Sequence, residues 1–168
     1  MSRINNTSEV IIAMTKYFQY DCRRINHVIK VYGFAKTIGE MEELDEEAQE
    51  ILEIAAITHD IGIKNSEIKY NSSAGNYQEI EGPEEAKKLL ENLGISHSII
   101  DRVCWLIAHH HTYSNIDKLD YQILVEADFI VNIFEDSVSD TAIKNIENNI
   151  FKTSTGKMLL GNLYKKGD

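Results

Sequence analysis

Proline, cysteine and basic runs are scarce in this chain, and each scarcity closes off a class of protein. A single proline among 168 residues, with no convincing apolar–polar alternation, leaves no case for a β-sheet. The two cysteines, Cys22 and Cys104, lie far apart and form no metal-ligand or redox spacing. They read as reduced packing residues. No apolar run approaches the ~20 residues of a membrane span, and the N-terminal region shows no signal-peptide pattern. The expectation is therefore a cytoplasmic protein away from the membrane. Lys and Arg number 17 against 27 acids, a formal charge of −10, and no basic cluster stands out. That balance excludes a nucleic-acid groove, which needs clustered cations along phosphates. An anionic ligand must be met locally, and a bound divalent cation is the obvious local positive charge.

What the chain does have is apolar residues recurring at three and four over most of its length, with no repeat, low-complexity tract or interdomain linker. The expected fold class is all-α, a single-domain helical bundle over residues 1–168. Expected helices run from Glu9 to Tyr20, from Asp21 to Glu40, and from Asp45, an N-cap followed by Glu46 and Glu47, to the pair His59-Asp60. The second has Ile25, Val28, Tyr32, Ala35 and Ile38 on its inner face and His27 at the edge of it. Gly62 suits a left-handed cap closing the third. The polar stretch Lys64 to Glu81, with Asn71-Ser72-Ser73-Ala74-Gly75-Asn76, reads as a long loop of the kind that is usually functional or disordered. Gly82-Pro83-Glu84-Glu85 reads as a helix start and Gly94 as its close. Further helices follow from Ser98 to His111, from Asp120 to Glu135 with Phe134 among its apolar residues, and from Ala142 to Phe151, before a last short helical piece. Residues 136–168 are expected to pack on the core as a tail.

Against that background two features carry chemistry. His59-Asp60 closes an apolar helical run (Ile51, Leu52, Ile54, Ala55, Ala56, Ile57), and Asp128 sits inside another, Ile123 to Val131. The dipeptide alone decides nothing, since a chain with this many His and Asp contains one by chance about one time in three. Asp128 is more telling, because a carboxylate in an apolar setting costs several kcal/mol unless paired or bound to a cation. Adjacent helical residues do not face each other, so His59 and Asp60 can share an ion only where the helix ends. His27, His59, Asp60 and Asp128 would bring two imidazoles and two carboxylates from three helices. Such a set suits Mn, Fe, Co or Zn ahead of Ni or Mg, and leaves coordination positions open to water. The alternative is a core-edge histidine at 27 and a surface acid at 128.

The order Arg24-Ile25-Asn26-His27, His59-Asp60-Ile61-Gly62, Ile107-Ala108-His109-His110-His111 and Glu126-Ala127-Asp128 resembles the HD-domain superfamily of metal-dependent phosphohydrolases over about residues 21–135. The resemblance implies His27, His59, Asp60 and Asp128 as ligands of one divalent ion, with room for a second ion bridged by Asp60. No His stands before Gly82, where some members supply a further ligand; Glu81 could serve, with His110 and His111 as second-metal ligands or phosphate contacts. Asp60, His110 and Lys64 take the catalytic roles in this picture, and Lys69, Ser72, Ser73 and Gly75 could line a substrate pocket. The alternative for His109-His110-His111 is a solvated helix end, and Lys64 could equally be a solvated loop lysine. The implied activity is hydrolysis of a phosphoester on a nucleotide or other small phosphorylated metabolite, with metal-bound water or hydroxide as nucleophile. The alternatives are a non-catalytic nucleotide-binding signalling module and a di-iron oxygenase. Oligomeric state is left open.

Overall fold

A computed structural model of the chain describes residues 6–165, and among these every regular element is a helix. In order they are α1 (Asn6–Tyr17), α2 (Cys22–Met41), α3 (Glu46–Thr58), α4 (Ile63–Tyr70), α5 (Gly75–Asn92), α6 (His97–Ile107), α7 (Leu119–Glu135), α8 (Asp140–Asn149) and α9 (Ser154–Tyr164). The bundle has the all-helical, single-domain architecture expected. No described helix is long and apolar enough to cross a membrane.

Two helices form the middle. In α3 every residue from Ile51 to Thr58 is buried, and in α7 every residue from Asp120 to Asp128 is. A helix apolar on all sides belongs inside, and α3 is accordingly surrounded by α1, α2, α6 and α7. The Asp21 and Asp45 side chains cap α2 and α3, accepting from the Arg24 and Ala48 N–H groups at 3.1 and 2.8 Å. From the segment after α7, Ile143, Phe151 and Leu160 enter the core. Its anchor is Glu126, fully buried on α7, which accepts from the Thr153 N–H at 2.9 Å, the Lys152 N–H and the Thr153 hydroxyl.

Several expectations need correction. Residues 64–81 are not a long loop: α4 and the start of α5 occupy them, leaving only Asn71 to Ala74 between helices. Ser66 closes that link by donating to the Ser72 carbonyl at 2.7 Å, and Tyr70 stacks on Tyr77 across it at 4.2 Å. Gly82-Pro83 does not start a helix, because α5 begins at Gly75 and runs through Pro83. The ~3 kcal/mol that proline costs a helix interior is offset by packing against α6, where the Ile107 side chain fills the space a Cβ on Gly82 would need, only 2.5 Å away. Phe134 is 72% exposed rather than in the core, and Cys22 is exposed while Cys104 is half-buried, donating to the Pro83 carbonyl. Gly94 does close α5, with φ of +72° and the Ile95 N–H returning to the Leu90 carbonyl.

Candidate metal centre

The chain leaves α3 through a turn that lets neighbouring residues face one way. His59 caps α3, and the Ile61 and Ile63 N–H groups bond back to the Thr58 and Asp60 carbonyls at 2.9 and 3.0 Å. Gly62 is not left-handed as expected; its φ is −72°. Glycine is needed there for closeness, since a Cβ would lie 2.6 Å from the Gly82 nitrogen and 2.7 Å from the Gln78 carbonyl oxygen. The tight contact pins the His59-Asp60 turn against α5.

His27 from α2, His59 and Asp60 from the turn, and Asp128 from α7 converge. His27 Nε2 lies 3.3 Å from an Asp60 oxygen and 3.2 Å from Asp128 Oδ1, and His59 Nε2 lies 3.4 and 3.5 Å from the same two acids. The ring nitrogens on the far side are all engaged. His59 Nδ1 is 2.8 Å from the Ala56 carbonyl, His110 Nδ1 is 2.7 Å from the Ile107 carbonyl, and His27 Nδ1 is 2.9 Å from Glu135 Oε2. A carbonyl only accepts, so Nδ1 of His59 and of His110 carries the hydrogen, and each Nε2 of the neutral ring is a lone pair aimed inward. The two Nε2 atoms of His27 and His59 stand 3.3 Å apart. His110 Nε2 and Asp128 Oδ1 are buried with no hydrogen-bond partner among the described residues. Buried acceptors facing one another are costly unless a cation sits among them. The donor set therefore fits a divalent ion, and His27, His59 and Asp60 offer ligand atoms within 4.8 Å of one another.

Electrostatics follow the same geometry. Burial works against charge on His27, but Asp128 and Asp60 outweigh it and raise its pKa. At His59 burial is likewise outweighed, by Asp60 and Asp128, which push the ring up to about 9. Burial raises the two acids, yet His59 and His110 hold Asp60, and His27 and His59 hold Asp128, well below the carboxylate range. Both stay ionised and available.

A second grouping shares Asp60. Asp60, His110 and His111 also offer ligand atoms within 4.8 Å of one another, with His110 Nε2 3.6 Å from Asp60 Oδ1. His111 is held by Gln78 Oε1, 3.4 Å from its Nε2, and by Glu79, which accepts its backbone N–H at 3.0 Å. Gly75 lies under the ring so closely that a Cβ would be 2.6 Å from it. Burial and the adjacent His110 lower His111 to about 4, so it is neutral at pH 7. His109 turns away and stacks on Trp105 at 4.1 Å.

Other candidates do not reach the centre. Glu81 joins neither grouping, because Lys69 and the Tyr70 hydroxyl hold it at 2.6 and 3.0 Å, and this also occupies Lys69. The Lys64 ammonium lies 5.3 Å over the Tyr17 ring and bonds to the Tyr17 carbonyl. Ser72 is spent on its own link, with its hydroxyl accepting from the Ala74 N–H, while Ser73 lines the cleft above the acids. That cleft, about 680 Å³, opens over His27, Asp60 and Asp128.

Sequence reading missed Glu135 and Gln78. Glu135 lies seven residues after Asp128, two turns along the same face of α7, a signal that could have found it. Gln78 stood in the stretch read as loop and gave no signal.

Residues 24–149 match the family model of the HD domain. The solved structure of a predicted HD superfamily hydrolase from an uncultured Thermotogales bacterium is similar, with a TM-score of 0.70 at 26% identity, over 98% of this chain and 88% of that one. Comparison with curated proteins gives no significant match.

Proposed function

The chain belongs to the HD-domain family, and from that membership we propose that it is a metal-dependent phosphohydrolase acting on a small phosphorylated metabolite, with His27, His59, Asp60 and Asp128 as metal ligands. One observation carries the reading. Carboxylate oxygens and imidazole Nε2 atoms from separate helices crowd together at the floor of an open cleft, two of them without a hydrogen-bond partner among the described residues. A divalent ion bound there supplies a Lewis acid for a phosphoryl oxygen and lowers the pKa of water from 15.7 to about 7.

The chain's own groups supply the rest. Glu135 and the Ala56 carbonyl hold His27 and His59 in the tautomer that presents Nε2. Asp60, shared between the two groupings, orients the attacking water by accepting its hydrogen bond. His110 presents Nε2 beside Asp60, 3.6 Å from its Oδ1, as a contact for the phosphoryl oxygens, and stabilising the charge that grows on them is most of the catalytic task. His111, neutral and backed by Gln78 and Gly75, suits a ligand of a second ion better than a cationic phosphate contact.

Replacing Asp60 with Ala tests the scheme. Metal content and phosphate release from a panel of esters should fall together. Metal lost with hydrolysis fully retained would refute it, and nucleotide stabilisation with no product from any ester would favour a binding module instead.

A further inference from the structure

Ligand pockets are usually lined with apolar and aromatic side chains, and proteins that grip a nucleobase stack it between such groups. The cleft over the metal centre is built otherwise. Of its lining residues, Ile63 alone is apolar, and its only rings are the His27 and His111 imidazoles. Tyr70 stacks on Tyr77, and Tyr113 packs on Phe129 with ring centroids 5.0 Å apart, so these four rings are occupied with one another, while Tyr20 and Phe134, next in sequence to Asp21 and Glu135, are exposed but do not line the cleft. What the walls offer is hydrogen bonding, from the amides of Gln78 and Asn132, the Ser73 hydroxyl and the Asp136 carboxylate. Amides, hydroxyls and carboxylates are partners for substrate hydroxyls.

The cations are equally selective. Arg24 is spent on Asp21 and Glu67, Lys30 on Glu135 and Lys69 on Glu81. Arg23 also lines the cleft, one turn before His27 on α2, and forms no hydrogen bond or ion pair with any described residue. A guanidinium presents a fork that matches two phosphate oxygens.

We propose that the cleft takes the phosphate ester of a small, polyhydroxylated, non-aromatic compound rather than a nucleotide, and that Arg23 meets its phosphate while Gln78 and Asn132 meet its hydroxyls. The proposal rests on the hydrolase reading and narrows it to sugar or polyol phosphates. Among the described residues Ile63 is the only apolar side chain lining the cleft, and no Phe, Tyr or Trp ring lines it for a base to stack on.

Metal-loaded full-length protein is assayed for phosphate release from hexose, pentose and glycerol phosphates and from purine and pyrimidine nucleoside 5′-monophosphates. The best sugar or polyol ester should exceed the best nucleotide by about tenfold or more in kcat/KM. Nucleotides equal to or better than the sugar esters would overturn the substrate class while leaving the hydrolase reading intact. Should no ester be hydrolysed, the hydrolase reading falls, and thermal shifts with the same compounds then decide the cleft's preference: larger stabilisation by sugar phosphates supports it, larger stabilisation by nucleotides overturns it. Arg23→Ala should raise KM about ten- to a hundredfold with kcat little changed, and Arg23→Lys should recover part of the loss. An unchanged KM in Arg23→Ala would remove Arg23 from the site.

Discussion

Glu135 touches no proposed metal position, yet its replacement should weaken metal binding. Its Oε2 accepts the His27 Nδ1 hydrogen at 2.9 Å and its Oε1 accepts from Lys30 at 2.5 Å. Burial raises the carboxyl, but Lys30 and His27 pull it below its ordinary value, so it is ionised at neutral pH. Lys30 is 44% exposed, and a pair open to solvent is worth ~1 kcal/mol or less. The His27 contact is more buried than the Lys30 one and charge-assisted, and it fixes both the tautomer and the direction of Nε2. Losing such an outer contact typically costs about 10–100-fold in metal affinity, or roughly 1.4–2.7 kcal/mol. Glu135→Ala should show that loss in a competitive chelator titration with Mn²⁺. Glu135→Gln, whose amide oxygen can still accept from Nδ1, should fall between it and the parent, while Lys30→Ala should shift affinity by less than about threefold. Parental affinity in Glu135→Ala would show that His27 needs no support, which would undercut its assignment as a ligand.

Protonation should set how much a metal stabilises the fold. The raised pKa values of His27 and His59 give metal-free protein stability that is full below their ordinary value of 6.5 and is lost as pH rises towards about 9 at His59. The depressed Asp60 and Asp128 contribute stability that is full above 3.8 and is lost as pH falls through their lowered values. Chelated protein should therefore lose stability between pH 6.5 and 9 while the metal-induced gain in Tm grows, measured by scanning fluorimetry; a gain that shrinks with rising pH would contradict this. Glu126→Ala should cost about 3 kcal/mol in urea unfolding, because the Lys152 and Thr153 N–H groups lose a buried acceptor. A loss below about 0.5 kcal/mol would mean that Glu126 does not anchor the tail. Gly62→Ala should destabilise by about 3 kcal/mol or prevent folding, since the atoms its Cβ would strike are backbone, whereas Gly33→Ala, with nothing within 4 Å, should stabilise by about 0.5–1 kcal/mol. Equal Tm changes for the two would refute the close-packed turn.

Much of the fold was legible because it rests on local chemistry. Asp21 and Asp45 cap the helices they were read to start, Gly94 ends α5, and the burial of Asp128 follows from its place between Leu124 and Val131. Errors came where tertiary contact overrules local preference. Pro83 continues a helix because α6 packs on its neighbour Gly82, and Gly62 is small for the sake of Gln78 and Gly82, contacts that lie beyond any local window. At the site, the convergence of His27, His59, Asp60 and Asp128 was expected from apolar flanks and family resemblance. The geometry adds what spacing cannot show: Glu135 behind His27, Gln78 beside His111, and Lys64 and Glu81 committed elsewhere.

Elemental analysis of untagged protein, stripped by chelator and reconstituted separately with Mn, Fe, Co, Ni and Zn, is the most direct measurement of whether the crowded acids and imidazoles form a cation site. At least one ion should be retained per chain after desalting, and Asp128→Ala and His59→Ala should each abolish retention while remaining helical by circular dichroism. Protein that retains none of these metals, or variants that retain as much as the parent, would contradict it.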